Sequence, residues 1–462
     1  MRRVALPLAA ALLLAGCIGA RPQRPADSAV VAPPAWRTTL GPGSPIAAQW
    51  WQAFGDPQLT ALVTTALANN PDLGSAAARV EEARAQERLA RAQLSPNITA
   101  GVPLSEARTV TAFGTGLDAL GAQPVVQASY DFDLFGRLRS ARAAARAQLL
   151  ATEAARDTVR LALASGVASG YVTLRALDHR LHIAEETLAA RADALRIARR
   201  RAETGYTSNL ELRQAQGEYR STEQLVAAAQ LAVTRQENAL SVLIGGTPGP
   251  IARGLPIDRL IRPAIPDGLP ADLLRRRPDL FQAEQALVAA DRSLDSARAA
   301  MLPSLGLTGS AGIVLSSALK NPLTIFSIGG SVLAPIFDAG RLRAQADASA
   351  ARRDQAAYAY RKAALTAFRE VDDSLASVRR SGEQAVALAG QRTAQASALR
   401  IASNRYRAGY SSYLEQLDAQ RGLLNAELAL AEAQANQLTA YITLYQAMGG
   451  GWSDEAIRAT AR

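Results

Sequence analysis

The stretch RAETGYTSNLE at residues 201–211 returns as RYRAGYSSYLE at residues 405–415, a shift of 204. The same shift carries Gly136-Arg137-Leu138-Arg139 onto Gly340-Arg341-Leu342-Arg343, and Gly245-Gly246 onto Gly449-Gly450. Upstream, Pro71-Asp72-Leu73 matches Pro278-Asp279-Leu280 and Pro96 matches Pro303, both at a shift of 207. A loop between Pro96 and Gly136 must therefore absorb three residues. Self-similarity at a fixed offset is the mark of a duplicated structural unit. The reading divides the chain into a first repeat at 57–246, a linker at 247–269, a second repeat at 270–450 and a tail at 451–462.

Each repeat reads mainly as helix. The first holds a helical pattern from about Pro57 to Leu94, a long one from about Gly136 to Thr204 with no Pro, and one of roughly 37 residues ending at Ile244 before Gly245-Gly246. The second repeats this near 270–302, 341–407 and 412–448. A 67-residue helix is roughly 100 Å long at the α-helical rise, and the two shorter helices of a repeat sum to about the same length. Stacked end to end, they would lie beside the long one as a wall. In the second long helix Val371, Leu375, Val378, Gly382, Ala385, Ala389, Arg392, Ala396, Leu399, Ser403 and Tyr406 step by four and three. That 3.5-residue period marks a coiled-coil seam.

Between the helices lie runs of another period. Val126, Ala128, Tyr130, Phe132 and Leu134 alternate with Gln127, Ser129, Asp131 and Asp133, and Ile98, Ala100, Val102 and Leu104 alternate likewise. In the second repeat Leu305, Leu307, Gly309, Ala311 and Ile313 form one face, and Ile328, Gly330, Val332, Ala334 and Ile336 another. Apolar and polar faces alternating over about ten residues is the pattern of a transmembrane β-barrel. Four strands cannot close a barrel, and backbone in lipid tolerates no open edge. This reading requires an oligomer of two, three or four copies. Soluble hairpins packed on one side remain the alternative.

Arg2 and Arg3 precede the apolar run Val4–Leu14, which ends in Leu14-Ala15-Gly16-Cys17. A charged start and a short apolar core form a signal peptide over 1–16. The run is too short to span a membrane. Small residues before the chain's sole cysteine resemble a lipobox, so Cys17 is expected to carry a covalent lipid at the head of segment 17–56. Ile18, rather than an Asp, favours sorting to the outer membrane. One cysteine excludes an internal disulfide framework.

The chain has 51 basic and 41 acidic side chains, with arginines spread along the helices rather than clustered with aromatics, which argues against nucleic-acid binding. His179 and His182 are the only histidines and lack further ligands of the kind zinc requires. Gly245–Pro250 lacks the Lys and Ser/Thr of a phosphate loop, and no nucleophile elbow is visible. No enzyme, cofactor or metal is expected.

These features resemble the outer-membrane factors of the TolC/OprM type, in particular the lipoprotein branch of the NodT kind. The most specific matches are WWQAFGDPQL at 50–59, LPADLLRRRPDL at 269–280 and YLEQLDAQR at 413–421. The resemblance implies a mainly helical fold with a small β part. It implies a homotrimer whose twelve-stranded barrel in the outer membrane continues as a twelve-helix tunnel through the periplasm. It also implies a periplasmic membrane-fusion adaptor and an inner-membrane pump, commonly of the RND class, as partners. The turns at Gly205, Tyr206 and Ser208 and at Gly409, Tyr410 and Ser412 would then face the adaptor. Glu415 and Asp418, three apart on one helix face, would form acidic rings, with Leu414 as an apolar ring and Tyr406 tying neighbouring helices shut. Efflux of small molecules is the expected function. The exit duct of a type I protein-secretion system and a non-conducting, lipid-anchored periplasmic scaffold are the alternatives.

Overall fold

A computed structural model describes residues 20–38, 43–110, 113–114, 116–317 and 319–453. Cys17, the expected lipid site, and the signal peptide expected over 1–16 lie outside these residues. The helices are α1 (Pro57–Asn69), α2 (Pro71–Ala92), α3 (Arg137–Glu203), α4 (Asn209–Leu243), α5 (Pro270–Arg276), α6 (Pro278–Ala299), α7 (Arg341–Arg407) and α8 (Tyr413–Ala447). The strands are β1 (Asn97–Gly101), β2 (Leu104–Val110), β3 (Gly116–Ala122), β4 (Val125–Phe132), β5 (Ser304–Ser316) and β6 (Leu323–Leu333). The long helices α3 and α7 have 67 residues each, and α4 and α8 have 35 each.

Two expectations are corrected. The helical patterns at 57–94 and 270–302 are each two helices. Pro71 and Pro278 lack the N–H that would continue the preceding helix, and proline drives the residue before it to extended backbone. Asn70 and Arg277 are accordingly extended, at ψ 127° and 126°. Each break is filled by polar bonds. The Asn70 side chain accepts from the backbone N–H of Asp72 (2.8 Å) and donates to the carbonyl of Leu243 (2.9 Å). Arg277 donates to Asp279 and to the carbonyl of Ala447, and pairs with Glu370 at 2.7 Å. The second correction concerns the strands, which form six segments rather than four. Pro103 and Pro124 interrupt the two long ribbons of the first repeat, and β3 was not foreseen.

The chain divides into two compact units, each assembled from three separate stretches of sequence. One comprises residues 1–30, 78–153 and 282–362, the other 31–77, 154–281 and 363–462. The first unit holds the sheet. It runs β1-β4-β5-β6, all antiparallel, with Ala128 opposite Ile98 and Gly309, and Gly309 opposite Ile328. The hairpin β2–β3 extends it, and β3 touches β5 at only two residue pairs. Among the described residues, strands β1, β2 and β6 each have one partner, so the edges at β1–β2 and at β6 are open. No described strand residue is buried on either face. Beyond β6, Ile336 and Phe337 are 97% and 90% exposed.

The second unit has the hydrophobic core. Trp50, Trp51, Phe54, Leu59, Val63, Tyr171, Leu174, Leu240 and Ile442 are buried together, and Tyr445 stacks on Trp50 at 5.5 Å. Asp56, 1% exposed, caps α1 by accepting from Gln58 N–H at 2.8 Å. Its other oxygen accepts from the Tyr171 hydroxyl (2.8 Å) and Leu255 N–H (2.9 Å). A buried carboxylate is tolerable because each bond is supplied. The seam on α7 is buried at Val371, Leu375, Val378 and Ala385. It then opens, and Ala389 and Arg392 are exposed. Arg392 pairs with Glu427 on α8 instead, at 3.2 Å.

Candidate functional site

The site expected from the repeated stretch lies in the second unit, where α3 turns into α4 and α7 into α8. Both turns follow one design. Gly205 (φ 71°) and Gly409 (φ 79°) take the left-handed conformation that ends a helix. Tyr206 N–H returns to Arg201 O (2.8 Å), and Tyr410 N–H to Arg405 O (2.9 Å). Ser208 caps α4 by accepting from Glu211 N–H at 3.4 Å, whereas Ser412 makes no side-chain cap. Tyr206 and Tyr410 are both largely exposed.

Behind the turns the helices are cross-linked by polar bonds. The Tyr406 hydroxyl on α7 donates to Glu211 Oε1 on α4, and Thr207 donates to the other oxygen. Tyr406 packs on Tyr413 at 5.8 Å, and the Arg201 guanidinium lies over its ring at 4.9 Å. Burial first, and then the hydrogen bond to Glu211, push the Tyr406 phenol up to about 12. Ala198, Ala215, Tyr413 and Leu417 close the apolar part of the cluster.

Two turns further along α4, Glu218 binds two guanidiniums. Arg191 on α3 takes Oε2 and also donates to the Glu218 carbonyl at 3.0 Å, while Arg421 on α8 takes Oε1, its Nε at 3.0 Å. Arg191 is 5% exposed, and burial pulls its pKa down against the opposing charge of Glu218. Arg421 is raised, chiefly by its hydrogen bond to Glu218 and further by the charge of Asp418. Arg191, Glu218 and Arg421 were not singled out from sequence. Their partners are 27 and 203 residues apart, and no local pattern marks such pairs.

The acids expected at the constriction are both exposed, three residues apart on α8. Glu415 pairs with Arg405 across the turn at 3.1 Å, while Asp418 has no ion pair within 4 Å among the described residues. Leu414 is exposed beside them. Thus Tyr406 joins the inter-helix cluster, whereas Glu415, Asp418 and Leu414 present themselves outward. His182 meets only Glu186, at 3.2 Å, and no group of metal-ligating side chains occurs among the described residues.

Solved structures that share these helices and strands define the class, the outer-membrane channel. The structure matches CusC with a TM-score of 0.82, at 32% identity, covering 94% of this chain and 99% of that one. It matches the open state of the Neisseria gonorrhoeae MtrE outer membrane channel at 0.82 and 30% identity, covering 94% and 98%. The family described as "Outer membrane efflux protein" matches residues 62–246 and 269–450. Relatives include the antibiotic efflux pump outer membrane protein ArpC of Pseudomonas putida, 35% identical over 96% of this chain and 95% of that one. The pyoverdine export outer membrane protein OpmQ of Pseudomonas aeruginosa is 36% identical over 97% of both. The chain belongs to the outer membrane efflux protein family and is a protein of the outer membrane.

Proposed function

We propose that the chain is the exit duct of a tripartite efflux pump and works as a homotrimer, supplying a passage and a gate rather than a catalyst or a cofactor site. The observation that carries this is the sheet, four strands wide, open at β1 and β6, and without a buried residue among those described. Lipid satisfies apolar side chains but no backbone group, so further copies must close the edges. Three copies give a twelve-stranded barrel. The paired lengths of α3 with α7 and of α4 with α8 support two internal repeats and a twelve-helix tunnel. A periplasmic adaptor would meet the turns at Gly205, Tyr206 and Ser208 and at Gly409, Tyr410 and Ser412, and an RND-class pump would supply the energy. A lipid on Cys17 anchors the N-terminus. The efflux relatives favour this duct over a protein-secretion exit or a scaffold. ArpC is named for antibiotics, TtgC for toluene and OpmQ for pyoverdine, at nearly equal identity to this chain. We read this variety of named cargo as a sign that the pump, rather than the duct, selects what is exported.

The gate of this duct is the start of α8. Exposed Asp418 and Glu415, tripled by symmetry, form acidic rings that draw cations, Leu414 adds an apolar ring, and the bond from Tyr406 to Glu211 holds the helices together. The test is single-channel recording in planar bilayers of the wild type and of the double variant Asp418→Ala, Glu415→Ala. Small cation-selective currents that grow or lose selectivity in the variant are expected. Currents unchanged by the variant would remove the gate role from these two acids, and folded protein that fails to enter a bilayer would overturn the duct.

A further inference from the structure

The sheet has two unlike faces, and one of them ends in a cavity. Register fixes which side chains share a face. Ile98, Ala128, Gly309 and Ile328 stand in one row across β1, β4, β5 and β6, and Thr99, Gln127, Ser310 and Ser327 in a row of the opposite face. On β5 the apolar face runs from Leu305 to Leu315. Ten steps of strand are roughly 34 Å, or about 25 Å of height at a tilt of about 40–45°. The outward apolar band of a membrane barrel has that same height. Leu315 therefore stands at the far rim of the band, at the end of the sheet away from the helices.

A cavity of about 520 Å³ opens there, walled by Leu104, Leu120, Leu315, Leu319 and Pro322, with Lys320 as its only charged residue. Leu104 stands opposite Ala122 and Ala122 opposite Leu315, which places the cavity on the apolar face. The β5–β6 connection is pinned to β3 beside it. Ser317 N–H donates to the Leu120 carbonyl (2.9 Å), and the Ser317 hydroxyl accepts from Leu120 N–H (3.0 Å). Leu104 and Leu120 are 76% and 64% exposed, so two walls are open to whatever lies outside. Farther along the hairpin this face turns polar, with Glu106 opposite Leu120 and Arg108 opposite Asp118. Arg108 is paired with Asp118 at 3.4 Å, whereas Lys320 has no ion pair within 4 Å among the described residues. A lysine at such a boundary lays its stem along apolar surface and holds its ammonium at headgroup level.

We infer that this cavity seats an acyl chain of a phosphorylated glycolipid of the outer leaflet, with the Lys320 ammonium on its phosphate. The inference rests on the duct proposed above, which sets the apolar face in lipid and the far end of the sheet toward the cell exterior. The leucines take the hydrocarbon. The lone cation selects the head, because a zwitterionic phospholipid already carries an ammonium beside its phosphate and gains less from a second one.

The experiment uses the full-length protein in its own outer membrane, with benzoylphenylalanine in place of Leu120 and, separately, of Leu104, so that one misfolded variant does not end the test. Phe326, on the same face but outside the cavity, is the control position. Irradiation of intact membranes should join all three positions to lipid. Lipid at none of them would overturn the membrane placement of this face, and the seat with it. After extraction and washing in detergent, positions 120 and 104 should still join the glycolipid, read as the mass of the modified peptide, and position 326 should not. Lys320→Gln should lower that yield about tenfold, the loss of one charge-assisted bond, and Lys320→Arg should keep it. Where intact membranes label, washed protein that gives only phospholipid, only a second copy, or nothing at 120 and 104 overturns the seat and leaves the duct standing. So does a yield matched at position 326 or indifferent to Lys320→Gln, which would describe bulk lipid around the barrel.

Discussion

The Tyr406 phenol on α7 donates its proton to Glu211 on α4, so one hydrogen bond to a charged acceptor joins the two helical hairpins. Bonds of this kind are worth about 1.5–3 kcal/mol in general, and partial exposure puts this one toward the lower end. Tyr406→Phe keeps the ring packed on Tyr413 and under Arg201 while removing the donor. It is expected to shift the closed–open balance about tenfold toward open, since 1.4 kcal/mol is a factor of ten. The readout is open probability in planar bilayers, and an unchanged value would free Tyr406 of the latch role.

The same bond sets a pH limit. Tyr406 is raised to about 12 from an ordinary value near 10, first by burial and then by Glu211. Because the folded value is the higher, the stabilisation is complete below about pH 10 and is lost as pH climbs through about 12. Tyrosinate absorbance of the wild type against Tyr406→Phe should show one late-titrating phenol, with channel opening following it. A phenol titrating near pH 10 would contradict the contact.

Glu218 is the heavier joint. Replacing it by Ala leaves the Arg191 guanidinium buried without a counter-charge, and breaking a buried pair from one side costs about 3–5 kcal/mol. Arg421→Ala leaves Glu218 still paired with Arg191 and should cost far less. Thermal unfolding in detergent should rank Glu218→Ala well below Arg421→Ala, and equal losses would deny Arg191 its dependence on Glu218.

Glycine turns separate by their surroundings. Gly449 has φ 91°, and a Cβ there would sit 1.8 Å from the Arg276 carbonyl oxygen. Gly205 has φ 71° with nothing within 4 Å of a Cβ. Gly205→Ala should cost only backbone strain, about 1–2 kcal/mol. Gly449→Ala must also push α5 from α8 and should lower the yield of folded protein. Equal melting temperatures for the two variants would count against this placement of Gly449.

The N-terminal clamp makes its own prediction. Arg353 is 1% exposed and holds the carbonyls of Pro22 and Gln23. Arg353→Met retains most of the buried bulk and removes those donors. Amide exchange over residues 20–30 should accelerate while that of α7 is unchanged. Protection of 20–30 equal to the wild type would show that the arginine is not what holds the segment.

The long helices were legible because apolar spacing and the absence of Pro act within a few residues of chain. The bounds expected at 341–407 are those of α7. The breaks at Asn70-Pro71 and Arg277-Pro278 were equally local, and the prolines that signal them stood inside patterns read as single helices. Strand β3 was harder. Its sequence, GLDALGA, alternates poorly, and it forms because β2 offers a partner in register from Leu104 opposite Ala122 to Val110 opposite Gly116. The site divides the same way. The turns and Glu415 show in the repeat, Asp418 stands where the first repeat has Gln214, and the Glu218 joint depends on helices meeting in space. Glu211 was visible as the counterpart of Glu415, yet its bond to Tyr406 crosses 195 residues.

The open edges of β1 and β6 also bear on how the protein is made. A newly exported single copy carries two rows of unpaired backbone donors and acceptors, flanked by exposed Phe326, Ile328 and Val332, which is a template for adding strands from any neighbour. Its hazard is greatest between secretion and assembly. Synthesis in excess of insertion should therefore produce sheet-rich aggregate rather than a pool of waiting monomer, and the helical part, which has its own core, is the portion able to fold before the sheet finds its partners.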